Sequence, residues 1–152
     1  MIFLILTVIV FNLIALFIPK RLSGIEILTT TLFSLYFESL ANVYLDLKYD
    51  LYGYFTKGVN WRSFIYVIGI YAPVNIVYLN YFPYKKQFFN KAIYILGWSC
   101  FAYIFEFLFL WSGTFYYNGW KFWYSVIIYP ILYLILVCFH KYVYYLLRKF
   151  RQ

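Results

Sequence analysis

The sequence predicts an all-α, polytopic membrane protein, a five-helix transmembrane bundle that forms one domain over residues 1–152. Of its 152 residues, 66% are hydrophobic and 12% are charged, whereas about a quarter of the residues in a soluble domain are charged. The apolar residues form long blocks, which is typical of membrane spans rather than of a soluble core. These blocks leave no stretch of sequence for a separate soluble domain.

The predicted spans follow one another with short connections. They cover approximately residues 2–18, 25–45, 64–81, 92–111 and 122–139, followed by a basic tail over 140–152. The first span has neither a basic start nor a small-residue cleavage site, so we expect an uncleaved anchor rather than a signal peptide. Pro73 and Pro130 interrupt the third and fifth spans. Each proline frees a backbone carbonyl, which neighbouring groups or water must satisfy.

The basic residues predict the orientation of the bundle. With the N-terminus outside and the C-terminus inside, nine Lys and Arg residues face the cytoplasm: Lys20, Arg21, Lys85, Lys86, Lys91, Lys141, Arg148, Lys149 and Arg151. Four face the outside: Lys48, Lys57, Arg62 and Lys121. This distribution agrees with the excess of Lys and Arg in cytoplasmic loops of membrane proteins.

The net charge of +8 does not predict a nucleic-acid partner, because the basic residues lie in short segments between spans. The expected partner is the lipid bilayer. The tail over 140–152 would either contact anionic lipid or serve only as a topology anchor. A membrane-protein partner or a second copy of the chain is a further expected contact.

Four of the predicted helices carry polar side chains at helical spacing, which places them on one face of each helix. The stripes are Glu38, Asn42 and Asp46; Tyr71, Asn75 and Tyr78; Ser99, Tyr103 and Glu106; and Ser125, Tyr129 and Tyr133. We expect the stripes to converge on a polar interior, with Arg62 and Lys121 as partners for the carboxylates at its outer end. The candidate binding residues are Glu106, Glu38, Asn42, Asp46, Tyr103, Asn75, Tyr71, Tyr129, Arg62 and Lys121.

Glu38 and Glu106 are the chemical centre of this interior. A charge at the centre of a membrane helix costs about 2.5–3.5 kcal/mol on the insertion scale, so both carboxylates should face inward and be protonated, paired or hydrated. The pattern fits two roles, a hydrogen-bond network that fixes helix packing and a site for a cation, a proton or a polar headgroup. The loops over 53–62 and 113–121 also resemble each other, which would make the two glutamates equivalents in a parallel duplication.

Motifs for enzyme chemistry are missing from the sequence. Two cysteines and one histidine are too few for a zinc site, and we expect His140 across the bilayer from the carboxylates. The sequence therefore predicts no enzyme, no catalytic residue, no metal and no cofactor.

Several segments carry a family resemblance: Tyr49-Asp50-Leu51-Tyr52, "GVNW", "GIYAPVNIVYLNYFPYKK", "YILGWSCFAYIFEF" and "FYYNGWKFWYSVIIYP". Over roughly residues 46–130 the chain resembles an uncharacterised family of small five-helix integral membrane proteins of endospore-forming Gram-positive bacteria. The family-like positions are Gly58, Trp61, Pro73, Asn75, Gly97, Trp98, Glu106, Asn118, Gly119, Trp120, Tyr129 and Pro130. The resemblance implies a multi-pass protein of the bacterial cytoplasmic membrane, with a link to sporulation. Asn60 departs from the pattern, because an acidic residue is expected before Trp61.

Three functions remain open at this stage. The leading hypothesis is a polar interior that binds or passes a cation, a proton or a small polar solute. The first alternative is a structural or accessory subunit of a membrane complex, and the second is a protein that binds lipid headgroups.

Overall fold

The computed structural model describes residues 1–58 and 61–150, and five helices account for most of them. The helices are α1 (Ile2–Phe17), α2 (Gly24–Ala41), α3 (Trp61–Tyr66) with α4 (Ala72–Tyr81), α5 (Phe88–Trp111) and α6 (Phe122–Lys149). Two π-helical segments extend this pattern: Asn42–Lys48 continues α2, and Val67–Tyr71 joins α3 to α4. The predicted all-α class is confirmed. Asn60, the predicted departure from the family pattern, lies outside the described residues.

Within the described part of the chain, three helices are long enough and apolar enough to cross a membrane: Trp61–Tyr81, Phe88–Trp111 and Phe122–Lys149. The apolar helix α1 is shorter, at 16 residues. Large apolar side chains on the outer faces of the helices are exposed, among them Ile104, Phe107 and Ile127. Length, composition and exposed apolar faces together support the membrane class that the sequence predicts.

The helix ends differ most from the prediction in α5 and α6. The second helix with its extension ends at Lys48 rather than near residue 45, and the third begins at Trp61 rather than near residue 64. Helix α5 begins at Phe88 rather than near residue 92. Helix α6 continues to Lys149, so residues 140–149, predicted as a tail, extend the last helix by almost three turns. This segment contains Leu, Lys and Arg but no Gly or Pro, so nothing in its sequence ends the helix at residue 139.

Side chains from neighbouring helices donate to a backbone carbonyl close to each of the two prolines. Pro73 lies at the start of α4, directly after the π-helical segment Val67–Tyr71, and Asn12 of α1 donates its side-chain amide to the carbonyl of Gly69 in that segment at 2.9 Å. Pro130 has no N–H to donate to the carbonyl of Val126.

The hydroxyl of Tyr103 on α5 donates to that Val126 oxygen at 2.7 Å. Each proline-containing helix is therefore joined to a neighbouring helix by a side-chain hydrogen bond to a carbonyl close to its proline.

A small antiparallel sheet lies at one end of the bundle, and the sequence had not predicted it. Strand β1 (Tyr52–Tyr54) follows α2, and strand β2 (Phe115–Tyr117) lies between α5 and α6. In the register of the sheet, Tyr52 pairs with Tyr117, Gly53 with Tyr116 and Tyr54 with Phe115. The two loops whose sequences resemble each other are thus hydrogen-bonded to each other.

Candidate functional site

The sheet turns one aromatic face towards the helices. Because side chains alternate along a strand, Tyr52 and Tyr54 share a face with their partners Tyr117 and Phe115. Ring contacts join this face, with Tyr52 and Phe115 centroids 5.2 Å apart and Tyr54 and Phe115 centroids 5.3 Å apart. Three tyrosine hydroxyls consequently reach polar groups on α2 and α5.

Glu38 of α2 lies beneath strand β1 with only 8% of its surface exposed. Its Oε1 atom accepts hydrogen bonds from the side-chain amide of Asn42 and, at 3.3 Å, from the hydroxyl of Tyr54. Asn42 in turn accepts a hydrogen bond from the hydroxyl of Tyr52 at 3.0 Å. The helical spacing of Glu38 and Asn42 thus places both groups within reach of the sheet.

Glu106 of α5 lies beneath strand β2 and is 5% exposed. Its Oε1 atom accepts from the hydroxyl of Tyr117 and, at 2.8 Å, from the hydroxyl of Ser125 on α6. The indole N–H of Trp120 donates to the Ser125 oxygen at 3.0 Å. The carboxylate therefore joins α5 to both the sheet and α6.

The two carboxylates belong to one aromatic enclosure. Tyr52 and Tyr66 each lie within electrostatic range of both Glu38 and Glu106. The ring of Tyr66 also packs against Tyr54, with centroids 4.7 Å apart. We call this group, formed by Glu38, Asn42, Glu106, Ser125 and the tyrosines 52, 54, 66 and 117, the carboxylate enclosure.

One oxygen of each carboxylate has no hydrogen-bond partner within residues 1–58 and 61–150. Among the described residues, no donor reaches the buried Oε2 atom of Glu38 or the buried Oε2 atom of Glu106. The donors that reach the two carboxylates are the neutral groups named above and, at Glu106, the hydroxyl of Tyr129. A buried charge without a counter-charge or full hydrogen bonding is costly, so these two atoms are where the described residues satisfy the carboxylates least.

The tyrosines of the sheet act as hydrogen-bond donors. Burial raises the pKa of Tyr52, Tyr54 and Tyr117 above the ordinary range, and the nearby carboxylates act in the same direction. Their hydroxyls therefore keep their protons at physiological pH.

Asp46 lies beside the enclosure but outside its hydrogen-bonded group. The sequence placed it on one stripe with Glu38, yet the π-helical segment Asn42–Lys48 has a wider turn than an α-helix and changes its direction. Burial, followed by the charge of Asp50, raises the pKa of Asp46.

The remaining predicted residues divide into interior and surface positions. Asn75 is buried and donates to the hydroxyls of Thr30 and Thr31 at 3.2 and 3.1 Å, while its Oδ1 atom has no donor in the described structure. Tyr71, one turn before Asn75, lies within electrostatic range of Glu38.

Tyr129 lies closer to Glu106, within hydrogen-bonding as well as electrostatic range of its carboxylate. The hydroxyl of Tyr103 instead donates to the carbonyl of Val126, which has no backbone donor because of Pro130. Arg62 and Lys121, the predicted partners of the carboxylates, are exposed, and the guanidinium of Arg62 lies over the ring of Trp61.

Sequence reasoning missed the residues of the sheet. Tyr52, Tyr54 and Tyr117 were not predicted as site residues, although the alternation in Tyr-Gly-Tyr and the aromatic run Phe-Tyr-Tyr are typical of strands. It also missed the contact between Glu26 and His140, two buried side chains whose Oε1 and Nε2 atoms lie 2.9 Å apart at the opposite end of the bundle. The pattern Ser-x-x-Glu at 23–26 is a capping box and would have fixed the position of Glu26.

No metal cluster is formed by residues 1–58 and 61–150: nowhere do three His, Cys, Asp or Glu side chains come together as ligands. A cation at Glu38 or Glu106 would thus have one carboxylate and neutral oxygens of Tyr, Ser or Asn as ligands. A cavity of about 130 Å³ lies elsewhere, between α1, α4 and α5, and its lining is apolar, including Phe11, Pro73 and Trp98.

The chain was also compared with known proteins. No family model matches it, and neither a curated protein nor a solved structure does. Its function must therefore be inferred from the carboxylate enclosure itself.

Proposed function

We propose that this chain is a small multi-pass protein of the bacterial cytoplasmic membrane that binds a proton or a small cation at Glu38 and Glu106. In this proposal the five helices span the bilayer with the N-terminus outside, so the sheet lies at the outer face. The carboxylate enclosure then opens towards the outside, and the basic end of α6, with Arg148 and Lys149, meets anionic lipid on the inner side.

The observation that carries the proposal is the pair of unpartnered Oε2 atoms. Glu38 and Glu106 are buried, their other oxygens are held by neutral donors, and the described residues supply no donor to Oε2. If the carboxylates served only to hold the helices together, we would expect both oxygens of each to have hydrogen-bond partners. A proton or a cation at Oε2 would neutralise each buried charge and complete its contacts.

Infrared difference spectroscopy of the protein in lipid nanodiscs tests this proposal. The chain has only five Asp and Glu residues, so carboxyl bands can be assigned with single variants. We expect the bands of protonated or cation-bound carboxyl groups to change when pH is varied from 5 to 8 or when choline is exchanged for Na⁺ or K⁺. The double variant Glu38→Gln with Glu106→Gln should lose the bands that belong to these two side chains and keep the band of Asp46.

The matched control is Asp50→Asn, which removes a carboxylate outside the enclosure and should keep the response. Proton and ion flux in vesicles reconstituted with Glu106→Gln distinguishes binding from transport. Spectra and flux that respond identically in the wild-type chain and the double variant would contradict the proposal.

One observation favours the alternative of a structural or accessory subunit. Each carboxylate joins the sheet to a helix, and neither the cavity between α1, α4 and α5 nor the cavity beside Trp120 and Tyr124 is lined by Glu38 or Glu106. In that role the Glu-to-Gln variants would lower the melting temperature. The wild-type spectrum would then show no pH- or cation-dependent band from Glu38 or Glu106. Headgroup binding is less well supported, because the apolar cavity has no charged residue in its lining.

A further inference from the structure

A second group of ionisable side chains lies at the end of the bundle opposite the sheet. His140 of α6 is 4% exposed, and its Nε2 atom lies 2.9 Å from Oε1 of Glu26 on α2. Its Nδ1 atom lies 2.7 Å from the hydroxyl of Tyr84, in the segment between α4 and α5. Glu26 is 12 residues before Glu38 along α2, which corresponds to roughly 18 Å at 1.5 Å per residue.

The Glu26 carboxylate is built to stay ionised. Its Oε2 atom accepts from the backbone N–H and the hydroxyl of Ser23, at 2.8 and 2.7 Å, while Oε1 faces the imidazole. Donors to both oxygens stabilise the charged form. Glu26 therefore differs from Glu38 and Glu106, each of which has an oxygen without a partner.

Tyr84 can act as donor or acceptor towards the ring. Burial, together with the charge of Glu26 and the neighbouring Tyr94, raises the pKa of Tyr84, so its hydroxyl keeps its proton. With a neutral ring, Nε2–H donates to Glu26 and the Tyr84 hydroxyl donates to Nδ1. With a protonated ring, Nδ1–H donates to the Tyr84 oxygen, and neither contact is lost.

We propose that His140, held between Glu26 and Tyr84, is a proton-binding site at the end of the bundle opposite the carboxylate enclosure. The proton adds to the Nδ1 lone pair, and the imidazolium so formed is paired with the Glu26 carboxylate. The site joins α2, α6 and the segment between α4 and α5, so its charge acts on three elements at once.

The ionisable groups around the site come from each element that packs there. Glu26 belongs to α2, Tyr84 to the segment between α4 and α5, and Tyr94 to α5, where it adjoins Tyr84. On α6 itself, the neighbouring Lys141 is exposed. Glu26 is thus the one negative charge that the described contacts place against His140.

Nuclear magnetic resonance of the full chain, ¹⁵N-labelled at histidine and held in lipid nanodiscs, tests the inference directly. His140 is the single histidine of the chain, so every imidazole signal belongs to it. At pH 8 we expect one neutral tautomer, protonated at Nε2. On acidification to pH 5, both ring nitrogens should become protonated while the backbone signals of the fold persist.

Two variants separate the contributions of the partners. Glu26→Gln should reduce the share of protonated ring at a given pH, because it removes the negative charge that lies against the imidazole. Tyr84→Phe should allow the neutral ring to populate both tautomers. Asp50→Asn, which removes a carboxylate outside both sites, is the matched control, and it should leave the His140 spectrum unchanged.

A ring that stays neutral down to pH 5, or a neutral ring protonated at Nδ1 in the wild-type chain, would overturn the inference. The same is true if folded Glu26→Gln protein titrates like the wild type. The wild-type spectra decide the question even if a variant fails to fold. None of these outcomes depends on whether Glu38 and Glu106 bind a proton or a cation.

Discussion

Tyr52 and Tyr117 face each other across the two-stranded sheet, and their hydroxyls reach different parts of the carboxylate enclosure. Tyr52 donates to Asn42, which donates to Glu38, whereas Tyr117 donates to Glu106. Backbone hydrogen bonds between the strands therefore connect two carboxylates that lie on different helices. Any movement that separates β1 from β2 would change the surroundings of both.

Removal of a donor to Glu106 should destabilise the fold. Tyr117→Phe and Ser125→Ala each take one hydrogen bond from the buried Oε1 atom, and we expect each to cost about 1–3 kcal/mol of unfolding free energy. Because both groups donate to the same atom, the double variant should not be additive. Denaturant titration in mild detergent measures these differences.

Tyr116→Phe is the matched control for this series. Tyr116 is next to Tyr117 on β2, but its buried hydroxyl has no partner among the described residues. Loss of that hydroxyl should leave stability unchanged or raise it slightly. Equal destabilisation by Tyr116→Phe and Tyr117→Phe would mean that the Glu106 contact contributes nothing specific.

The bond between Tyr103 and the carbonyl of Val126 should matter only because of Pro130. We expect Tyr103→Phe to cost about 1 kcal/mol in the natural background. In the Pro130→Ala background, the restored backbone N–H can donate to Val126, so the same change should cost much less. A double-mutant cycle on unfolding free energies measures the coupling, and a cycle that closes with no coupling would contradict this role.

The close contact between α1 and the π-helical segment Val67–Tyr71 depends on Gly69. A Cβ atom at this position would lie 2.8 Å from both methyl carbons of Val8, which is too close for any real contact. Gly69→Ala should therefore push the helices apart and lower the melting temperature. Val8→Ala in the same chain should recover part of the loss.

Gly97 provides the comparison for that experiment. It lies on α5 with open space around it, so Gly97→Ala should be neutral or stabilising by up to about 1 kcal/mol. If Gly69→Ala and Gly97→Ala behave alike, close packing at Gly69 is not what selects glycine there.

Features with a helical period could be predicted from the sequence, and features that depend on distant pairing could not. The polar stripes placed Glu38, Asn75 and Glu106 in the interior because a spacing of three or four residues is a local property. The contact of His140 with Glu26 joins residues 114 apart, and no local pattern encodes it. The two strands have three residues each, too few for an alternating pattern to stand out in an aromatic-rich chain.

Asp46 shows how local geometry can override a correct periodicity. Its spacing from Glu38 is right for one face of an α-helix, but the π-helical turn from Asn42 moves it towards Asp50. The same turn lets the chain descend from α2 into strand β1. The displacement of Asp46 from the predicted stripe is thus coupled to the sheet, which was likewise not predicted from the sequence.

The raised pKa of Asp46 predicts a pH-dependent effect of Asp46→Asn. Burial and the charge of Asp50 favour the protonated form in the folded state, so the ionised carboxylate destabilises the fold at pH 7.5. Asp46→Asn should therefore melt at a slightly higher temperature than the wild type at that pH. The difference should shrink as pH falls through the raised pKa and vanish below the ordinary aspartate value of about 4. Melting curves of both chains at pH 4 and pH 7.5 measure it, and an advantage of the same size at both would show that charge is not its cause.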